Sequence, residues 1–161
     1  MARSIFILLA AIAVAQSIYF YPQMPEVMAS HFSGGGTPDG WMTRDLFVAF
    51  YLGMVALITV VFLLIPKIPK YLRNIPNRNY WMEEERKADT MDYIDKAAMR
   101  MGIATMALMV FVMQYAFEAN LKQEPRLSGD VGWALVLYFL FLAVWIVKFL
   151  RRFRTIPDQS R

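Results

Sequence analysis

His31 is the one histidine in this chain, and carboxylates stand near it at Glu26, Asp39 and Asp45. An imidazole beside a carboxylate can act as a general base or supply one metal ligand. Metal sites ordinarily draw on three or four protein ligands, and one imidazole with scattered carboxylates falls short of that set. The simplest expectation is that loop backbone groups satisfy the His31 ring nitrogens; ligand or proton binding ranks next and catalysis last. The same stretch, 21–44, holds Gly34-Gly35-Gly36, the turn-forming Pro38-Asp39-Gly40 and Trp41. The glycine run is not a phosphate loop, because no Gly-Lys-Ser/Thr follows it and no strand is expected before it. With no cysteine there is no thiolate ligand, thiol nucleophile or disulfide. No catalytic residue is assigned, no cofactor is expected, and a metal at His31 is left open.

Methionines 99, 106, 109 and 113 share a helical face with Gly102. Thioethers select Cu(I), but no histidine or cysteine accompanies them, so adaptable packing is the expectation. Gln16 and Gln114 are the most polar residues of the apolar segments. They are expected to hydrogen-bond to each other, a contact worth about 0.6 kcal/mol on average inside a membrane. No Asp, Glu, Lys or Arg falls at mid-segment depth, which argues against transport through an internal charge. Glu83, Glu84 and Glu85 read as a solvated helix face.

These residues are positioned by an apolar frame. The chain is 58% apolar and 19% charged, and the apolar residues collect in four blocks at 4–21, 46–65, 97–117 and 133–150. Each is about 18–22 residues long, enough to cross roughly 30 Å of hydrocarbon. Only helices and closed barrels satisfy their backbone in lipid, and continuous apolar runs exclude the barrel. The expected fold is therefore an all-α integral membrane protein: four transmembrane helices, an extracytoplasmic lid loop between helices one and two, and a cytoplasmic helical extension before helix three. Residues 1–155 form one four-helix domain and 156–161 a short cytoplasmic tail. Of 17 lysines and arginines, only Arg44, Lys122 and Arg126 fall in the segments on one side of the spans. Positive charge stays inside, so both termini are expected in the cytoplasm of a multi-pass protein of a bacterial inner membrane. The net charge of +4 then reads as topology and attraction to anionic lipid rather than nucleic-acid binding. Arg3 followed by an apolar core and Ala13-Val14-Ala15 also fits a secretory signal; retention as a span is expected, and cleavage would leave three.

Pro22, Pro25 and Pro38 interrupt helix in the cap, while Tyr19, Tyr21 and Trp41 suit an interfacial belt. Thr43 or Asp45 is expected to cap the second span, Pro66 to end it, and Pro69 and Pro76 to keep the following basic segment from continuing as helix. From Asn79 as N-cap, one helix is expected over 80–117, with Glu83–Lys87 and Asp92–Lys96 as ion pairs. Pro125 and Ser128-Gly129-Asp130 signal turns in a loop at 118–132. Lys148, Arg151, Arg152 and Arg154 end the last span, and Pro157 begins a disordered tail.

Two stretches carry a family likeness. Met24-Pro25-Glu26, His31-Phe32 and Gly36-Thr37-Pro38-Asp39-Gly40-Trp41 resemble the L-P-x-x-I-x-x-H-F…G-x-P-D-G-W cap of a bacterial membrane domain of unknown function. That domain also forms the N-terminal part of the SdpI-like proteins, which give immunity to the sporulation-delaying toxin. Ile75-Pro76-Asn77-Arg78-Asn79-Tyr80-Trp81, with Glu85-Arg86 after it, resembles the I-P-N-x-x-Y-W-x-x-x-E-R that follows the second span in small members. The likeness covers roughly residues 1–120. Met24 and Met28 replace the usual leucine and isoleucine, and the extra membrane helices of full-length SdpI-like proteins are absent. The resemblance implies an outer site of Glu26, His31, Asp39, Gly40 and Trp41 that binds a peptide or membrane-protein partner. It also implies an inner structural motif of Pro76, Asn77, Tyr80 and Trp81 that anchors the cytoplasmic helix. The expected function is non-enzymatic binding through the outer loop. The alternatives are an accessory subunit of a larger membrane complex, or a metal-binding protein or enzyme using the His31 loop.

Overall fold

A computed structural model describes residues 1–65 and 74–156. Helix α1 (Ala2–Phe20) runs into a single 3₁₀ turn, Tyr21–Gln23; strands β1 (Val27–Phe32) and β2 (Pro38–Thr43) follow, then α2 (Arg44–Leu64). A short helix α3 (Arg78–Trp81) precedes the long α4 (Glu84–Asn120), and α5 (Gly129–Arg154) closes the described chain. Helices α1, α2, α4 and α5 are each long and apolar enough to cross a membrane, which makes this the helix set of a multi-pass membrane protein. Pro66, Pro69 and Pro157, expected to break the chain, lie outside the described residues, as does most of the 156–161 tail.

Helical spacing decides what each helix buries. Phe6, Ala13, Ser17 and Phe20 make one face of α1, and Phe47, Val48, Tyr51 and Val55 one face of α2. They close on Met99, Met106 and Phe117 of α4. Phe117 is fully buried, stacked on Phe20 at 5.0 Å and meeting Phe47 and Tyr51 edge-on at 5.8 and 6.0 Å. Gly102 lets the α2 ring of Phe62 approach: a Cβ there would stand 2.8 Å from its Cγ. The methionine face of α4 is thus packing, as expected. So is the glutamine contact, with Gln16 Nε2 donating to Gln114 Oε1 at 2.8 Å while Gln16 Oε1 accepts from the Tyr51 hydroxyl at 2.9 Å. That network ties three helices together.

Helix α5 is outside this core. Its buried residues are Val131 and Phe153, one near each end. Between them it meets α4 through Thr105 and Tyr138, whose hydroxyls are 2.9 Å apart, and through Trp145 Nε1, which donates to the Ala97 carbonyl at 3.2 Å. A second, smaller core at that end joins Ile75, Trp81, Ile94 and Phe153.

Three expectations are corrected. The chain is mostly helical rather than all-α, because the lid is a β-hairpin. The helix expected over 80–117 is broken after Trp81 and its long part runs on to Asn120. Arg86 packs into the break: its Nε donates to the Tyr80 carbonyl at 3.1 Å, its guanidinium lies 4.1 Å from the Tyr80 ring centroid, and it pairs with Glu83. The same carbonyl also accepts the Glu83 amide at 3.5 Å, and Glu83 turns extended before α4. Lys87 consequently pairs with Glu84 rather than Glu83, whereas Asp92 and Lys96 pair as expected at 2.6 Å. Thr43 caps α2, its hydroxyl accepting from the Leu46 amide at 3.4 Å, with Asp45 in the first turn.

Candidate functional site at the hairpin

The hairpin turns at the glycines and not at Pro38-Asp39-Gly40, which lie inside β2. Ser33 and Thr37 close the turn through Ser33 N–H to Thr37 O at 2.8 Å, supported by their hydroxyls 2.7 Å apart. A strand therefore does precede the glycine run, contrary to expectation. Gly36 has φ +79, and a Cβ there would collide with the Leu127 carbonyl. Only glycine suits that combination of conformation and contact. Leu127 N–H donates back to the Gly36 carbonyl at 2.9 Å, which docks the hairpin tip on the segment between α4 and α5.

Pairing is antiparallel, with Met28 opposite Met42, Ala29 opposite Trp41 and His31 opposite Gly40, and the register shifts on both sides of His31. Gly40 permits that bulge, since a Cβ there would stand 2.9 Å from His31 Cβ. The bulge sends the imidazole outward. Its Nδ1 is bonded to Asp39, with the two side chains 75% and 48% exposed. A carboxylate neighbour, not loop backbone, satisfies His31. Glu26 is at the far end of the strand pair, its carbonyl accepting the Arg44 amide at 2.9 Å. Asp45 takes the Tyr21 hydroxyl at 2.7 Å. Of the carboxylates named from sequence, Asp39 alone joins the histidine. Among the described residues no group of three or more His, Cys, Asp or Glu could hold a metal ion.

Two anchors that sequence reasoning missed hold the hairpin to the bundle. Asn120, 4% exposed at the end of α4, accepts the Ala29 amide at 2.7 Å and donates to the Ala29 carbonyl at 3.0 Å. Its side-chain amide stands in for a neighbouring strand. A lone asparagine ending an apolar run was the available signal, but its partner is 91 residues away. Arg44 is the second anchor, donating to the Met24 carbonyl at 3.1 Å with its guanidinium 4.6 Å from the Tyr21 ring centroid. With Met28 fully buried below, the hairpin is held by one face, one edge and its tip.

The free face carries apolar and polar side chains side by side. Val27 and Trp41 are each 54% exposed. With Met24, Pro25, Leu121 and Pro125 on its apolar side and Gln23, Lys122 and Gln123 on its polar side, they line a groove of about 490 Å³ between the strands and the end of α4.

The second motif sits at the opposite end of the bundle. Asn77, left-handed at φ 52, donates from Nδ2 to the carbonyls of Phe153 at 2.9 Å and Arg154 at 3.0 Å. Trp81 Nε1 donates to the same Phe153 carbonyl at 3.0 Å, and its ring meets Phe153 edge-on at 5.7 Å. The last carbonyls of a helix have no partner within it, and this motif supplies them for α5. It anchors the end of α5 rather than the long helix alone.

Residues 7–57 match the family described as a domain of unknown function, DUF1648. The match takes in most of α1, the whole hairpin and the first two-thirds of α2. No curated protein and no solved structure matches the chain.

Proposed function

We propose that this is a non-enzymatic protein of a bacterial cytoplasmic membrane, with both termini in the cytoplasm and the hairpin outside, that works by binding a peptide or another membrane protein on the Val27–Trp41 groove. One observation carries the reading: an exposed tryptophan is mounted on a hairpin whose opposite face, edge and tip are immobilised by Met28, Asn120 and Leu127. Rigid presentation lowers the entropy lost on binding, and exposed aromatics beside grooves are typical binding anchors. The scarcity of basic residues around the hairpin supports its outward orientation. The DUF1648 match over this region supports the likeness to a domain of unknown function; the SdpI-like resemblance of the cap residues, taken by itself, makes immunity to a membrane-active peptide toxin the first version to test. In toxin-sensitive cells, the wild-type chain is expected to protect and Trp41→Ala to protect poorly while still reaching the membrane. Absence of protection by wild type ends the immunity version. Failure of a photoreactive residue at position 41 to capture a specific partner in native membranes ends the binding reading.

A second reading, an accessory subunit, is favoured by α5, whose apolar side chains from Trp133 to Val147 are largely uncovered by the other described residues. A stoichiometric integral partner retained on α5 after gentle extraction would favour it over the hairpin reading. A metal-dependent role needs ligands from beyond the described residues to join His31, and elemental analysis of purified protein tests it directly.

A further inference from the structure

At the end of the bundle away from the hairpin, the start of α1 and the 92–100 stretch of α4 enclose an open cavity of about 500 Å³. Arg3, Lys96 and Arg100 line it, with Asp92, Asp95 and the buried Met99. Lys96 and Asp92 neutralise each other at 2.6 Å, and Asp95 has a contact of its own. Neither Arg3 nor Arg100 has a carboxylate within ion-pair distance among the described residues.

The depth of these two arginines in the proposed bilayer bears on which anion would suit them. About 30 Å of hydrocarbon counted back along α4 from Phe117 ends near Ala97. Arg100 stands one turn inside that level, and helical side chains lean toward the N-terminus, which here is the direction of the membrane surface. Arg3 opens α1 at the same end and leans the same way. Long cationic side chains at this depth reach the phosphate layer while their stems stay in the apolar region. Basic pockets between spans on the cytoplasmic side are suited to anionic headgroups.

We propose that this cavity binds the phosphate of an anionic phospholipid, with Arg3 and Arg100 as its ligands. The inference rests on the bilayer placement proposed above. The full chain, extracted in detergent and stripped of lipid, is offered 1-palmitoyl-2-oleoyl-phosphatidylglycerol or the matching phosphatidylcholine and observed by native mass spectrometry. Wild type is expected to retain one phosphatidylglycerol in preference to phosphatidylcholine. Each of Arg3→Gln and Arg100→Gln should weaken that preference about fivefold, the lysine replacements should preserve most of it, and Arg151→Gln, a charge loss at the same end outside the cavity, should leave it intact. Equal loss in Arg151→Gln, no lipid preference in wild type, or full displacement by millimolar inorganic phosphate would overturn the site. Wild-type protein absent from the membrane fraction would instead overturn the bilayer placement. The single substitutions are on an exposed rim, and an unchanged melting temperature separates lost binding from lost fold.

Discussion

Trp41 and Trp81 belong to the two motifs at opposite ends of this bundle and meet opposite fates. Trp81 is 3% exposed, its indole nitrogen spent on the last turn of α5. Trp41 is 54% exposed, and among the described residues its indole has no hydrogen-bond partner. Both ends use an asparagine amide as a splice, Asn77 on Phe153 and Arg154, Asn120 on Ala29. At one end the splice buries the aromatic residue beside it; at the other it steadies a surface that stays open. The same chemistry therefore builds an anchor in one place and a platform in the other.

Breaking the anchor should cost most. Trp81→Ala is expected to destabilise the protein by about 3–5 kcal/mol, read as an earlier unfolding midpoint in a denaturing-detergent titration, with α5 the first helix to lose hydrogen-exchange protection. Asn120→Leu leaves both Ala29 backbone groups without their partner and should cost about 2–3 kcal/mol. Its distinctive mark is faster exchange in β1 while α5 remains protected. Gly36→Ala forces an unfavourable left-handed conformation against the Leu127 carbonyl, for about 1–3 kcal/mol, and should loosen the tip without moving the core. Gln16→Leu removes a network inside the bundle and is expected to cost about 0.6–1.7 kcal/mol. Trp41→Ala should change stability by no more than about 0.5 kcal/mol while removing partner capture. A large stability loss there would make Trp41 a second anchor and erase the contrast between the two ends.

Much of the frame could be read from local composition. The four apolar blocks, the capping of α2 by Thr43, the packing role of Met99 and Met106 and the Gln16–Gln114 bond all follow from what neighbouring residues and helical spacing demand. The hairpin was harder to see, since Val27–Phe32 is short and the strongest turn signal, Pro38-Asp39-Gly40, sits within a strand. Pro38 and Gly40 are there for other reasons: the proline begins the strand, and the glycine makes room for His31 across it. The break before α4 was hidden because Asn79, Glu83 and Lys87 form a respectable helix start on their own. Arg86 meets Tyr80 across that break, a contact that no propensity encodes.

Sequence alone determined that four segments of this protein are long and apolar enough to cross a membrane, because the cost of burying backbone and charge in lipid acts residue by residue along the chain. Tertiary structure decided which groups meet. Asp39 faces His31 only because a bulge opposite Gly40 turns the ring outward, Ala29 is held only because α4 ends beside it, and Phe153 is capped only because α3 folds back 72 residues earlier in the chain. Hydrogen bonds between such distant residues depend on how the helices are arranged in space, and local pattern carries no record of that.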